Sequence, residues 1–143
     1  MMVIEEPTEK EIEERLLEDG FKWIGGDINF LTYGGLFANQ VDEETFYIIE
    51  ILGTEHYFRD YPKKYIVTLS RVWIDDDEEF LNGALRACGY SNPNPTVYQK
   101  LDAIYHYWGG DQITSIDGDD IIKMLDWTVR AFHSWPWIET YEE

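Results

Sequence analysis

Apolar and polar positions change their period along this chain, and each change predicts a different kind of element. Residues 8–19 carry a thin apolar stripe of Ile12, Leu16 and Leu17, with Glu9, Glu13, Glu14 and Glu18 on the other side. That spacing predicts a surface helix. Thr8 and Glu11 stand at capping-box spacing before it, and Gly20 supplies the stop. From residue 21 to 74 the period shortens to that of strands. Expected strands cover residues 21–24, 28–33, 36–41, 45–52 and 64–74, with turns at Gly25, Gly26 and Asp27, at Gly34 and Gly35, and at Asp42, Glu43 and Glu44. Residues 45–52 are apolar on both faces apart from Glu50, the signature of a central strand. In 64–74, alternation places Tyr65, Val67, Leu69 and Trp73 on one face. The expectation is an antiparallel meander of about three to five strands.

Helical spacing returns after residue 74. Asp75 with Glu78 has capping-box spacing ahead of a helix that runs to Gly89. A turn at residues 91–95 leads to the next, with Asn94 expected as the cap and Pro95 in the first helical position. Val97, Leu101, Ile104, Tyr105 and Trp108 form its stripe, and Gly109 and Gly110 end it. A short extended piece is expected at residues 112–116. The last helix is expected from near Asp117 to about His133, with Ile121, Ile122, Leu125, Val129 and Phe132 inward. The pattern as a whole is α+β: an N-terminal helix, the meander, then three C-terminal helices packed on the sheet. No repeat, low-complexity tract or linker divides it, so residues 1–143 read as one domain.

Charge changes this picture more than any motif does. Twenty-nine acidic residues face eleven basic ones, a formal net charge of -18. A small domain needs only about 2 to 8 units for solubility. Like charge repels itself and opposes the compact state. Acidic disordered tails have few aromatics, whereas this chain has six Trp, ten Tyr and seven Phe. A folded body with a strongly negative surface is implied. Such a surface is repelled by nucleic-acid phosphates and anionic lipids, so the expected partner is a basic protein, with no direct nucleic acid and no membrane contact. Apolar runs fall far short of the about 20 residues that span a bilayer, and the N-terminus lacks the basic and apolar regions of a signal peptide. A single cysteine, Cys88, fits a reducing, cytoplasmic setting and a small buried apolar role.

Candidate chemistry is sparse. Residues Asp75, Asp76, Asp77, Glu78 and Glu79 form the densest acidic run, and Asp117, Asp119 and Asp120 form a second. Carboxylates at helix N-termini complement the macrodipole and cap free amides; five in a row exceed what capping requires. These two runs, together with Glu13 and Glu14 of the first helix, are the expected partner-binding acids. Trp135 and Trp137, around a helix-breaking Pro136, are the expected aromatic anchors. Tyr57, Phe58 and Tyr61 form a second aromatic cluster, in a loop, while Trp23, Trp73, Trp108 and Trp127 are expected in the core. The second acidic run is similar to a calcium loop at its start, but position 5 would be Ile121 and position 12 Thr128, so the ligand set fails. His56, His106 and His133 share no metal-ligand spacing, and no nucleophile elbow or phosphate loop is present. No cofactor, metal site or catalytic residue is therefore expected; among enzyme readings only Glu50, inside an apolar strand, stands out.

These features favour an acidic inhibitor that occupies the nucleic-acid-binding groove of a basic protein, such as a nuclease or defence complex. A DNA mimic of the phage or plasmid anti-defence kind (anti-CRISPR or anti-restriction) is the first form. The alternatives are an immunity protein that neutralises a toxic nuclease and a carboxylate-dependent small enzyme. A homodimer is compatible with the pattern.

Overall fold

A computed structural model describes residues 6–74 and 77–143. The chain runs α1 (Glu9–Glu18), β1 (Lys22–Gly26), α2 (Phe30–Tyr33), β2 (Gly35–Gln40), β3 (Thr45–Gly53), β4 (Tyr65–Trp73), α3 (Glu78–Ala87), α4 (Val97–Tyr107), β5 (Asp111–Gly118) and α5 (Ile121–Ser134). All five strands form one antiparallel meander in the order β1-β2-β3-β4-β5. The fold is α+β with helices packed on the sheet, as the periodicity predicts. Strand β3 takes the central place that its apolar run demands.

Because side chains alternate along a strand, a run apolar on every position must be covered on both sides. Register aligns Phe37, Ile49 and Leu69 across β2, β3 and β4 on one face. There they pack with Ile12 and Leu16 of α1 and with Ile121, Met124, Leu125 and Val129 of α5. The opposite face carries Leu36, Ala38, Phe46, Ile48 and Val72 against Ala84 and Leu85 of α3 and Leu101, Ala103 and Ile104 of α4. The C-terminal helices thus divide between the two faces, α5 joining α1 and leaving α3 and α4 together. Arg15 Nε donates to Asp126 at 3.0 Å, and His133 lies 3.6 Å from Asp19, tying α1 to α5. Among the described residues no helix is long and apolar enough to cross a membrane.

Several boundaries differ from the sequence expectation, each for a local reason. Residues 28–33 are not a strand: the Asp27 carboxylate accepts from Asn29 N at 2.8 Å and turns the chain into α2. Phe30 then packs edge-on to Phe37, with ring centroids 5.0 Å apart. This approach requires glycine at 35, where a Cβ would stand 2.5 Å from that of Phe30. Gly25 and Gly26 belong to β1 rather than to a turn, and Gly26 pairs with Gly35. Asp77 caps α3 by accepting from Phe80 N at 3.1 Å; the expected cap, Asp75, lies outside the described residues. Thr96, not Asn94, caps α4 in a complete box with Gln99. The side chain of Asp120 caps α5, because residues 111–118 continue as β5 beside β4 and keep Asp117 in the sheet.

Ile49 is fully buried and Leu17 more than half exposed, which predicts opposite responses to truncation. Ile49→Ala should destabilise the fold by about 2–5 kcal/mol in urea denaturation. Leu17→Ala should change it by no more than about 0.5 kcal/mol. Equal losses would contradict this assignment of faces.

Candidate functional site

The sheet register sorts the acidic residues between two ends. At one end lie the β2–β3 turn, the end of β4 and the start of α3. Asp42 shapes the turn, its carboxylate accepting from Glu44 N at 2.9 Å and Thr45 N at 2.8 Å. These contacts lower the Asp42 pKa, the Glu44 amide first. Ile74 N donates to Glu44 O at 2.8 Å, which ties the entry to α3 to that turn. Asp42, Glu43, Glu44, Asp77, Glu78 and Glu79 are all exposed at this end. Asp75 and Asp76 lie outside the described residues.

Asp117, Asp119 and Asp120 lie at the opposite end, where Gly118 pairs with Tyr65. Strand β4 runs from Tyr65 to Trp73, so about 26 Å separates the two ends at about 3.3 Å per residue. The structure does not bring the two acidic runs together. Glu13 and Glu14 are exposed on α1, which extends between the ends. Its N-terminal side is held by Lys64 Nζ on Glu6 at 2.9 Å, and its C-terminal side by Asn39 Nδ2 on Asp19 O at 3.1 Å.

The far-end acids have local partners. Tyr61 OH donates to Asp117 at 2.9 Å, and Lys64 N to Asp119 at 2.9 Å. Asp120 receives Lys123 N at 3.2 Å, and Glu143 accepts from Asp119 N at 3.0 Å. At the near end Asp42 and Asp77 likewise accept from backbone amides. Glu43, Glu44, Glu78 and Glu79 are exposed and, like Asp117, Asp119 and Asp120, have no Lys or Arg ion pair among the described residues. Arg71 stands 3.8 Å from Asp111 at the same end.

Aromatic side chains gather at this same near end. Trp73, Asp77, Phe80, Leu81, Ile104 and Trp108 line a pocket of about 260 Å³. Beside it Asp77, Glu79, Phe80, Arg86 and Tyr107 bound a shallower depression of about 610 Å³. Phe80 and Tyr107 meet edge-on at 5.7 Å. Arg71 stacks over the Trp73 ring at 4.6 Å. Trp73 and Trp108, expected in the core, are 38% and 55% exposed. Trp73 is the last residue of β4, and Trp108 is the C-cap of α4 ahead of Gly109 at φ 96°. Each therefore stands where its covering layer ends. Trp23, on edge strand β1, is 41% exposed, whereas Trp127 is buried as expected, at 8%. An apolar stripe reports which face of an element is covered; it does not report how far along the cover extends.

Trp135 and Trp137 are exposed, on a C-terminal segment that returns beside α5 through Trp127 Nε1 donating to Glu139 O at 3.1 Å. Trp137 contributes to a pocket of about 350 Å³ with Trp127, Arg130, His133 and Glu139. This lies on the α5 side of the molecule, away from the Trp73–Trp108 pocket on the α3 side. Tyr57, Phe58 and Tyr61 are exposed in the β3–β4 connection, and Tyr57 OH donates to Tyr33 O at 2.6 Å.

The remaining titratable groups with structural consequence lie between α4 and the sheet. Glu50 is half-buried and accepts from Tyr105 OH at 3.1 Å. Asp102, the one buried carboxylate among the described residues, accepts from Tyr90 OH at 2.5 Å. His106 Nε2 stands 3.2 Å from the other Asp102 oxygen, off the line of a good hydrogen bond. Gly25 makes room for that oxygen, since a Cβ there would approach it to 2.7 Å. Burial opposes the charge on Asp102, but His106 and Tyr90 outweigh it and leave the carboxyl pKa below its ordinary 3.8. The Asp102 contact raises the His106 pKa above its ordinary 6.5, against burial. Burial first, and Asp102 second, push the Tyr90 hydroxyl up to about 12. Cys88 is half-buried, and burial raises its thiol pKa. Among the described residues no three His, Cys, Asp or Glu side chains converge as a metal site.

In comparisons with known proteins, the chain matches no family model, no curated protein and no solved structure. The functional reading therefore rests on the chemistry of the near end rather than on ancestry.

The Asp102–His106 contact predicts a defined pH window. A raised histidine pKa stabilises below about 6.5 and loses that contribution as pH rises through the folded value. A lowered carboxyl pKa stabilises above about 3.8 and loses it as pH falls through the folded value. The stability lost in His106→Gln should therefore be greatest at about pH 5.5 and smaller at about pH 8.5, by denaturant unfolding of both proteins. A difference that is flat or grows toward alkaline pH would contradict the pairing.

Proposed function

We propose that this protein is an acidic, non-enzymatic inhibitor that occupies the nucleic-acid-binding groove of a basic protein. The observation that carries the reading is the near end of the sheet. There Asp77 lines an open aromatic pocket and Glu79 the depression beside it, with Glu43, Glu44 and Glu78 exposed at the same end. Charge alone steers association but leaves affinity modest; buried aromatic anchors supply most of the energy in protein interfaces. Both are present in one place.

Eleven bases cannot neutralise twenty-nine acids, so eighteen charges remain uncompensated however the pairs form. Duplex DNA presents one negative charge per about 1.7 Å of axis. Carboxylates three or four residues apart on a helix stand about 5–6 Å from one another, and acids occur at both ends of the sheet and along α1 between them. A basic groove built for a polyanion meets a rigid one here. A cytoplasmic anti-defence role of the anti-CRISPR or anti-restriction kind fits this chemistry. Neutralisation of a toxic nuclease would use the same surface.

The test separates charge from fold. Asp77→Asn keeps a competent cap, since Asn and Asp are about equal there; combined with Glu78→Gln and Glu79→Gln it removes three charges from the pocket rim. Wild-type protein immobilised in host lysate should retain a basic nucleic-acid-binding protein, eluting between roughly 50 and 200 mM salt. The triple variant should release it at lower salt while unfolding at the same denaturant concentration. Retention of neutral or acidic proteins alone, or elution indifferent to salt, would overturn the reading.

A further inference from the structure

Resting on the function proposed above, we infer that the pocket between Trp73 and Trp108 receives an arginine side chain of the basic partner. Its volume of about 260 Å³ is below the about 300–1,000 Å³ usual for small-molecule sites. That size suits one inserted side chain. Trp73, Trp108, Phe80, Leu81 and Ile104 line it, and Asp77, the cap of α3, is the charged lining group among the described residues. Apolar walls with one carboxylate suit a long aliphatic stem carrying a cation.

Arginine fits better than lysine for a geometric reason. Its guanidinium is planar, weakly hydrated and able to stack on an indole while hydrogen-bonding a carboxylate in its plane. The fold already uses this arrangement at the same end: Arg71 stacks on Trp73 at 4.6 Å and reaches Asp111 at 3.8 Å. Trp108, more exposed than Trp73, supplies the second ring for an incoming guanidinium, and Asp77 the second carboxylate. Glu79, on the adjoining depression, extends the negative field along the approach.

Octa-arginine, octa-lysine and the neutral isostere octa-citrulline serve as probes, titrated calorimetrically with tryptophan emission followed in parallel. Octa-arginine should bind more tightly than octa-lysine by at least about fivefold and change the emission, with octa-citrulline weakest. Trp108→Ala, and Trp108→Leu as a bulk-preserving second variant, should remove that preference. Trp137→Ala, on the other side of the molecule, should preserve it. Equal affinity for the two cationic peptides, or a preference that survives both Trp108 variants, would overturn the arginine pocket while leaving the acidic-inhibitor reading intact. Citrulline binding as tightly as arginine would identify a neutral occupant and overturn it too. Failure of every cationic peptide to bind the wild type would overturn both.

Discussion

Burial of β3 on both faces is the constraint on which the remainder of the molecule depends. Phe46, Ile48, Ile49 and Ile51 are all essentially inaccessible, and each belongs to one of two cores lying on opposite sides of the sheet. Burying a side chain of this kind is worth about 1.5–3 kcal/mol, and the two cores share one backbone ladder. Neither helical layer can leave without exposing half of the central strand. That mutual dependence holds eighteen surplus negative charges on one compact body, where their repulsion alone would favour expansion.

With the interior settled in this way, the ends of the sheet are free to serve other purposes. At the far end Asp117, Asp119 and Asp120 are drawn into hydrogen bonds with Tyr61, the Lys64 amide and the Lys123 amide. Those acids assist the closure of β5 and the start of α5. At the near end the chain keeps Glu43, Glu44, Glu78 and Glu79 exposed beside two partly exposed tryptophans. Two acidic runs that look alike in composition thus have different surroundings. The pairing between Tyr65 and Gly118, against that between Thr45 and Trp73, is what separates them.

Between α4 and the sheet sits the other departure from an apolar interior. Asp102, Tyr90 and His106 join the loop after α3 to α4 and press against Gly25 of β1. One Asp102 oxygen accepts from Tyr90 OH and the other faces His106 at 3.2 Å, and a nearby cation offsets part of the cost of burying a carboxylate. Here one side chain adds a polar link between three segments that also share the apolar core on this face.

Much of the fold was legible in the chain. The sequence pattern predicted α1 and its Thr8 cap, the central place of β3, the buried Leu101 and Ile104 of α4 and the α+β class, whereas Val97 and Trp108, at the two ends of the expected α4 stripe, are exposed. Strand 28–33 failed because an aspartate two residues upstream of Asn29 made a turn that apolar patterning does not encode. Of the candidate site, sequence reading picked out Asp77, Glu78 and Glu79 by their density, yet assigned Trp73 and Trp108 to the core. Composition and periodicity determined a negative surface around a two-faced sheet. Only the tertiary structure decided which acids share an end with the exposed Trp73 and Trp108 and which lie where β5 closes onto β4, since that depends on long-range register and on where each covering helix stops.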